Sequence, residues 1–245
     1  MSLPTDPKLD GILIVDKPQD WTSHDVCAFV RKRFKIKKVG HAGTLDPLAT
    51  GVLVVLLGRA TKSSMPLSGC DKEYAGVMQL GVATDSHDRT GTILEEKPWD
   101  SVTLEQIREK AMAFTGEIIQ VPPMVSALKH KGVRLYKLAR KGQTVPREGR
   151  PVNVYAWDID RMEGPLVHFS TRVSKGTYVR TLVNDLGAVL GCGATLKDLR
   201  RMRSGNCALT ESVTVDDLRT LSLQDLRNRI FPVYSILPYA NSHQP

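Results

Sequence analysis

One carboxylate in the sequence stands where a reactive side chain can be presented. Asp46 lies in the stretch GHAGTLDPLATG, residues 40–51, and is followed directly by Pro47. Proline disfavours helical geometry in the residue before it, and the surrounding glycines permit tight backbone paths, so the pattern predicts a rigid turn that projects Asp46. Asp-Pro is also a common way to start an ordinary turn, and on this stretch alone a structural aspartate is the favoured interpretation.

An arginine and two tyrosines are the other candidates for chemistry. Tyr178 and Arg180 are two residues apart in SKGTYVRT, which places them on one face if the chain is extended there. Arginine beside a carboxylate keeps it ionised, and tyrosine offers a ring for stacking a base and a hydroxyl for proton transfer. Tyr74 opens a predicted strand. A half-buried strand aromatic and a surface charge are the structural alternatives for Tyr74 and Arg180.

Residues that often bind metals do not form a metal-site pattern. The stretch GVATDSHDRTG, residues 81–91, contains Asp85 and Asp88, but no third ligand follows at a suitable spacing. A local turn, or an arginine partner for one of these carboxylates, is therefore expected. His41 and His87 also lack ligand spacing and are predicted to be polar or RNA-facing.

The cysteines and glycines exclude further classes of protein. The four cysteines form no CxxC pair, so zinc is not expected and the chain is predicted to be reduced and cytosolic. Neither of the glycine-rich nucleotide-binding motifs occurs. The longest apolar run, Val52–Leu57, is too short to span a bilayer.

An excess of positive charge points to a polyanionic partner. The chain has 34 Lys+Arg against 26 Asp+Glu, a formal net charge of +8, which favours nucleic acid over an acidic membrane surface. Basic residues, interleaved with aromatic and apolar ones, concentrate in three segments: 31–38, 129–150 and 197–205. This pattern suits folded RNA held by its shape and phosphates, although each segment alone is also compatible with a solvated face.

Alternating strands and helices must position these candidates. Strands are predicted at residues 11–18, at the apolar run 52–58 and at the alternating stretch 72–84. Helices are predicted at 22–35, capped by Thr22 and Ser23, at 103–116, with a Thr103–Gln106 capping box and a Gly116 C-cap, and on the Leu182, Leu186 and Leu190 stripe that ends at Gly191. Short helical turns are predicted to begin at Thr214 and Ser222. The mixture predicts the α+β class, a sheet with helices packed on it.

Six motifs, in order along the chain, resemble those of bacterial tRNA pseudouridine synthases of the TruB family. They are GILIVDKPQDWTSHDV, KKVGHAGTLDPLATGVL, KEYAGVMQLGVATDSHDRTG, QVPPMVSALKHKGVRLYKLARKG, SKGTYVRTLVNDLG and LRRMRSG. The similarity extends over about residues 11–232. The chain lacks the long extensions of the related guide-RNA-dependent synthases, which favours the stand-alone type.

The resemblance implies a fold and a catalytic set. The fold is the α+β pseudouridine-synthase fold, with a mixed, mainly antiparallel sheet, flanking helices and a central catalytic cleft. Asp46 is then the catalytic aspartate, and Tyr74 stacks on the target base and assists proton removal. Arg180 pairs with Asp46. Asp88 is its expected second partner, and Tyr178 lines the pocket.

RNA-binding residues are implied in the same way. His41 takes the space left in the T-loop when the uridine leaves it, and Lys62 contacts RNA or the pocket rim. The segment 120–150 matches a mobile, thumb-like insertion that closes over the T-arm. Its expected RNA contacts are Lys129, Lys131, Arg134, Lys137 and Arg140.

The implied reaction converts the T-loop uridine, position 55 in tRNA numbering, to pseudouridine after base flipping, with neither cofactor nor metal. The expected partner is the tRNA T-arm, with no membrane, and a cytoplasmic monomer is expected. Residues 1–232 are expected to form the catalytic domain, and 233–245 a tail too short for a C-terminal PUA domain. A T-arm-binding tRNA chaperone without catalysis is the alternative function.

Overall fold

The structure, a computed structural model, describes residues 9–236 except residues 127, 131 and 140 and the side chain of Lys129. The expected RNA contacts Lys131 and Arg140, and the side chain of Lys129, therefore lie outside the described residues. The chain divides into two compact units. Unit 1 holds the residues up to Tyr74 and those from Leu199 onward, and unit 2 spans Ala75–Asp198.

Strands supply most of the framework in both units. In chain order they are β1 (Gly11–Lys17), β2 (Val39–Ala42), β3 (Thr50–Leu57), β4 (Lys72–Leu80), β5 (Val82–Thr84), β6 (Ile93–Glu96), β7 (Gly116–Gln120), β8 (Lys129–His130), β9 (Val133–Arg134), β10 (Arg150–Glu163), β11 (Leu166–Val173), β12 (Ala194–Ser204), β13 (Cys207–Ala208), β14 (Val213–Thr214) and β15 (Ile230–Phe231). The boundary between the units falls within β4 and β12.

Helices connect and cover these strands. They are α1 (Ser23–Phe34), α2 (Ser64–Ser68), α3 (Leu104–Met112), α4 (Leu135–Ala139), α5 (Val179–Leu190), α6 (Val215–Thr220), α7 (Leu223–Asn228) and α8 (Val233–Ile236), with short 3₁₀ turns at Gly58–Ser63 and Leu209–Glu211. In the described part of the chain, no helix combines the length and the apolar character that crossing a membrane requires.

The core of unit 1 is built on β1 and β3, which pair antiparallel along their whole length. β2 and β15 add antiparallel neighbours, and β14 and β12 add parallel ones. Successive strand residues face opposite sides, so Leu13 and Val15 enter one apolar cluster, while Ile12 and Ile14 enter another. Both faces of β1 and β3 are therefore buried, as their continuous apolar runs predicted.

Helix α1 covers one face of this sheet. Thr22 caps it, and the side chain of Asp25 completes a capping box, so the predicted helix start is confirmed. The stripe of Val26, Val30 and Phe34 is buried in the cluster that also receives Leu13 and Val15 of β1. This packing places the residues just before α1 beside the loop that follows β2.

Unit 2 is organised around β10, which pairs antiparallel with β11 on one side and with β7 on the other. Its strand order is β4-β11-β10-β7. Helix α3 packs against β10 and α5. Together with the pairings of unit 1, this arrangement confirms the predicted α+β class with a mainly antiparallel sheet and flanking helices.

The prediction for the end of α3 is wrong. The Thr103–Gln106 capping box is present, but the helix ends at Met112 and Ala113 forms the C-cap in the right-handed region. Gly116 begins β7 instead, with a φ of 94°, a left-handed conformation that favours glycine. A glycine that starts a strand and one that ends a helix give the same local signal in sequence.

Candidate active site

Asp46 opens the tight turn between β2 and β3 in unit 1. Its carbonyl accepts the N–H of Ala49 at 3.1 Å, which closes a β-turn with Pro47 at the second position. The side chain of Asp46 is half-buried. The predicted rigid turn at Asp46 is therefore confirmed.

A buried lysine at the end of β1 fixes this turn. Lys17 has 0 % of its surface exposed. Its Nζ donates to three main-chain carbonyls, those of Pro18 at 2.9 Å, Trp21 at 2.7 Å and Pro47 at 3.1 Å. Burial lowers the pKa of Lys17 to about 8, and the negative charges of Asp46 and Asp20 oppose that shift. The residue next to Asp46 is thus held by an ammonium group within the same unit.

A buried arginine holds the other side of the loop. Arg201, 1 % exposed, lies on β12. Its guanidinium donates to the carbonyls of Val52 at 2.7 Å, Gly43 at 3.1 Å and Thr44 at 3.5 Å. The backbone of Arg201 also passes close to Gly51, where a Cβ would lie 2.2 Å from the Arg201 carbonyl oxygen. Gly51 has a φ of 98°, so both its conformation and its surroundings require glycine.

The serine that begins α1 adds a third attachment. The Oγ of Ser23 accepts the N–H of Leu45 at 2.9 Å and lies 3.2 Å from the Leu45 carbonyl, to which it donates. With Lys17 and Arg201, it fixes the main chain at four positions between residues 43 and 47. The backbone around Asp46 is therefore held almost completely by buried polar groups of unit 1.

The other expected site residues of unit 1 lie on three different elements. His41 is on β2, and burial followed by the charge of Arg201 lowers its pKa, which keeps the ring neutral. Its Nδ1 is buried without a hydrogen-bond partner among the described residues. Tyr74 is buried on the inward face of β4, as the alternation predicted. Lys62 is exposed on the 3₁₀ turn that follows β3.

Arg180 lies in unit 2, in the first turn of α5, and is 2 % exposed. Its guanidinium donates to the carbonyls of Ser86 at 3.2 Å and Val125 at 2.7 Å. The guanidinium carbon is 5.3 Å from the centroid of the Tyr178 ring, a cation–π distance. These contacts bring together two residues that the sequence singled out.

The premise that Tyr178 and Arg180 share one face of an extended chain is wrong. Tyr178 is the N-cap of α5, with extended φ and ψ, and the chain is already helical at Val179. The two side chains meet because the ring at the N-cap and the arginine of the first turn lie against each other. Sequence spacing therefore identified the pair but gave the wrong geometry.

Tyr178 is held by two side chains that sequence reasoning did not select. The Gln120 side chain accepts the Tyr178 N–H at 2.8 Å and donates to the Tyr178 carbonyl at 3.2 Å. The Arg150 guanidinium lies 5.3 Å from the centroid of the Tyr178 ring and donates to the Gly176 carbonyl at 2.6 Å. Tyr178 is thus fixed through both its backbone and its ring.

Asp88 belongs to a compact turn of unit 2. Its Oδ1 accepts from the hydroxyl of Ser86 at 2.8 Å and from the N–H and hydroxyl of Thr90 at 2.9 and 2.6 Å. Asp85 accepts the N–H of Thr92 at 2.9 Å across the same loop. The local turn expected for these carboxylates is present, and the pairing of Asp88 with Arg180 stays a prediction.

His87 sits between this turn and α5. It has a left-handed φ of 66°, and its Nδ1 is 3.2 Å from the hydroxyl oxygen of Thr181. Burial, followed by the positive charges of Arg180 and Arg147, lowers the pKa of His87 to about 4, against weaker opposing effects from Asp88 and Asp85. The ring is therefore neutral at physiological pH beside a buried arginine.

The segment 121–149 joins β7 to β10 and contains the hairpin β8–β9 and helix α4. Among the RNA contacts expected in this segment, Arg134 and Lys137 have described side chains, and both are exposed. The N–H groups of Leu135 and Tyr136 donate to the carbonyls of Leu128 and Ser126 at 2.7 and 3.1 Å, which folds the hairpin onto the start of the segment. Contact of these residues with RNA stays a prediction.

Relatives and solved structures resemble this chain over most of its length. A chain in the crystal structure of a Cbf5–Nop10–Gar1 complex is 32 % identical, with a TM-score of 0.73, and the match covers 92 % of this chain and 60 % of that one. The tRNA pseudouridine synthase B of Opitutus terrae is 46 % identical over 231 residues, which are 94 % of this chain and 96 % of that protein. That of Geotalea uraniireducens is 52 % identical over 209 residues, 85 % of this chain and 67 % of that protein.

The fold is that of the pseudouridine synthases. The family model described as TruB family pseudouridylate synthase, N-terminal domain, matches residues 31–179. The model described as tRNA pseudouridylate synthase B C-terminal domain matches residues 180–238. The chain belongs to the TruB family of pseudouridylate synthases, and the resemblance seen in the sequence is confirmed.

Proposed function

We propose that the protein is a tRNA pseudouridine synthase that isomerises the T-loop uridine at position 55 in tRNA numbering. Membership of the TruB family and the names of its relatives support the reaction class. The observation that carries the proposal is the turn at Asp46, whose neighbours are held by Lys17 and Arg201 while its carboxylate stays half-buried. A reactive group needs this combination of a fixed backbone and an accessible side chain.

The reaction breaks the N1–C1′ bond of uridine and rejoins the uracil through C5, with the C5 proton released. The target base must leave its stack, which costs a few kcal/mol and is least costly in a loop. Asp46 acts as an ionised carboxylate at the reacting nucleoside, and Tyr74 stacks on the base and assists removal of the proton. The pairing of Arg180 with Asp46 that the resemblance implies is part of this proposal, and Tyr178 lines the pocket.

Recognition of the substrate rests on the remaining expected residues. The neutral ring of His41 takes the place of the flipped base in the T-loop, and Lys62 contacts RNA or the pocket rim. The segment 120–150 grips the T-arm through phosphate contacts of Lys129, Lys131, Arg134, Lys137 and Arg140. We expect a monomer that acts on tRNA in the cytoplasm, with Asp88 supporting Arg180.

Tritium release tests the catalytic role. A T-arm hairpin labelled at uridine C5 should lose tritium to water when the wild-type protein is added. Asp46→Asn keeps the shape of the side chain but removes its charge, so release should fall by at least about 100-fold while hairpin binding is retained. Asp225→Asn, which changes an exposed aspartate at the start of α7, is the matched control and should release tritium normally.

The same assay distinguishes the chaperone alternative. A wild-type protein that binds the hairpin without releasing tritium would exclude the synthase and leave a T-arm-binding chaperone. Release by Asp46→Asn at the wild-type rate would remove Asp46 from the reaction.

Salt dependence tests the role of the 120–150 segment. Arg134→Ala and Lys137→Ala remove exposed charges, so each should weaken binding and reduce the slope of log K against log[salt] by about 0.7–0.9 per lost phosphate contact. Lys97→Ala, in which the altered lysine pairs with Glu95, is the control and should leave the slope unchanged. An unchanged slope for Arg134→Ala and Lys137→Ala would exclude these two residues from the RNA interface.

A further inference from the structure

The two residues that flank the segment 121–149, which we propose binds RNA, form one cross-strand pair. Gln120 is the last residue of β7 and Arg150 is the first of β10, and they are direct partners in the antiparallel register. The segment 121–149 therefore leaves the sheet of unit 2 and returns to it at the same place. Gln120 and Arg150 are therefore the residues through which the segment is attached to the sheet.

Gln120 connects this pair to the start of α5. Its side chain is 1 % exposed, and its amide makes a donor and an acceptor hydrogen bond to the backbone of Tyr178. The side chain of Tyr178 makes no capping hydrogen bond to α5. The Tyr178 carbonyl also accepts the N–H groups of Thr181 and Leu182. A buried amide with both functions satisfied on one residue fixes the position of that residue.

Arg150 connects the same pair to the Tyr178 ring. Its guanidinium lies against the ring and donates to the carbonyl of Gly176. Gly176 has a φ of 81°, and a Cβ there would lie 3.5 Å from the Arg150 Nη2. Arg150 therefore holds the turn before α5 and the aromatic ring at once.

The segment itself also reaches Arg180. The Val125 carbonyl accepts from the Arg180 guanidinium at 2.7 Å. Near the base of the segment, the Arg147 guanidinium donates to the Pro122 carbonyl at 3.1 Å and ties its two arms together. The segment thus touches Arg180, while its two ends hold Tyr178.

We propose that Gln120 and Arg150 are positioning residues that couple RNA binding by the segment 121–149 to the placement of Tyr178 and Arg180. This inference rests on the proposed function, since it assumes that the segment binds the T-arm. RNA bound to the segment 121–149 stabilises the arrangement in which Gln120 and Arg150 are paired and contact Tyr178. Because Gln120 and Arg150 hold Tyr178, part of the free energy of T-arm binding is used to orient groups at the reacting nucleoside.

Single-turnover kinetics with saturating T-arm hairpin test this coupling. Gln120→Ala removes both bonds to Tyr178, and Arg150→Met removes the guanidinium, so each should slow tritium release by about 10–100-fold. The hairpin Kd should stay within about twofold of wild type, because neither residue is proposed to contact RNA. Arg150→Lys keeps a donor for Gly176 but loses the planar group over the ring, so it should recover part of the rate.

Two matched variants serve as controls. Gln106→Ala removes a glutamine that caps α3, and Arg108→Ala removes an arginine that donates to the carbonyls of Ile159 and Asp160 at 3.0 Å each. Both should release tritium at the wild-type rate. Equal losses in these controls would show a general effect on unit 2 and overturn the positioning role.

Amide hydrogen exchange gives a readout that does not depend on activity. In the protein without RNA, the Tyr178 amide should exchange at least about tenfold faster in Gln120→Ala, because its acceptor is gone. Amides of the β10–β11 pair should stay protected and thereby show that the variant is folded. Unchanged protection of the Tyr178 amide would overturn the proposed attachment.

Failure of this inference can be told apart from failure of the proposed function. If wild type releases no tritium, the proposed function is overturned, and the coupling to catalysis falls with it. If wild type releases tritium and both Gln120→Ala and Arg150→Met do so at the same rate, the positioning role alone is overturned. A rate and a hairpin affinity that fall in equal proportion would also contradict it, because they indicate a binding role.

Discussion

The Asp46 turn of unit 1 and the Tyr178–Arg180 region of unit 2 are held in opposite ways. Around Asp46, the buried cations Lys17 and Arg201 bind main-chain carbonyls, so the backbone on both sides of Asp46 is fixed. None of these attachments involves the segment 121–149. The turn therefore has its conformation before any substrate arrives.

Tyr178 and Arg180, by contrast, are attached to the segment that we propose binds RNA. Gln120 and Arg150, at the ends of that segment, hold Tyr178, and the Val125 carbonyl within it binds Arg180. The comparison indicates that the two regions have different roles. Under the proposed function, the contacts in unit 1 hold Asp46 in place at all times, and those in unit 2 position Tyr178 and Arg180 together with bound RNA.

Among changes to the residues that support the two regions, the largest effect is expected from Lys17→Met, which tests whether the Asp46 turn is fixed by its carbonyl contacts. The change leaves three carbonyls without this donor, so tritium release should fall by about 100-fold. The free energy of unfolding, measured with urea, should fall by about 1–3 kcal/mol. Lys97→Met, at an exposed position, should change neither quantity, and full activity in Lys17→Met would show that the turn holds itself.

A smaller effect is expected from Gly51→Ala, which tests the close approach of β3 to β12. A Cβ there would lie 2.2 Å from the Arg201 carbonyl oxygen, in addition to the strain of a positive φ. Gly116→Ala is the matched control, since Gly116 has a φ of 94° but open space around it, and it should cost about 1–2 kcal/mol. Gly51→Ala should cost about 2 kcal/mol more by urea unfolding, and equal costs would contradict the close approach.

The smallest expected effect is on how the stability of unit 2 depends on pH below neutrality, which His87 influences. The pKa of His87 is lowered from 6.5 to about 4, so between these values the unfolded chain binds a proton that the folded protein does not. The free energy of unfolding therefore decreases as the pH falls from about 6.5 to about 4. His87→Asn tolerates the left-handed backbone and should reduce the loss between pH 7 and pH 5 by about 1–2 kcal/mol.

The control for this last prediction is His24→Asn, which changes an exposed histidine at the start of α1. Its stability should depend on pH as the wild type does. If His87→Asn also kept the full wild-type dependence, His87 would have to be protonated in the folded state well above pH 4.

The periodic elements of this fold could be predicted from the sequence because their signals are local. The apolar runs of β1 and β3, the capping box at Thr22 and the αL glycine at Gly191 each depend on a few neighbouring residues. Gly116 was misassigned because a positive φ serves both a helix end and a strand start. Only the tertiary path of the chain decides between them.

The candidate reactive residues could be selected from the sequence, whereas the residues that support them could not. Asp46, Tyr74 and Arg180 have side chains suited to the chemistry, whereas Lys17 resembles a strand-end surface lysine. Its alternation with Leu13 and Val15 was a usable signal, because residues of one parity share a buried face. Gln120 and Arg150 gave no such signal, since their role depends on contacts with Tyr178, far away in the sequence.

The pairing of Gln120 with Arg150 has a consequence for how the protein can vary. The segment starts and ends at one cross-strand pair. The entropic cost of closing such a loop grows only with the logarithm of its length, by about 0.6 kcal/mol for each doubling. The middle of the segment 121–149 can therefore be shortened, lengthened or exchanged with little thermodynamic penalty while its two ends remain. Under the proposed function, the surface that contacts the T-arm can vary in this way while the rest of unit 2 stays unchanged.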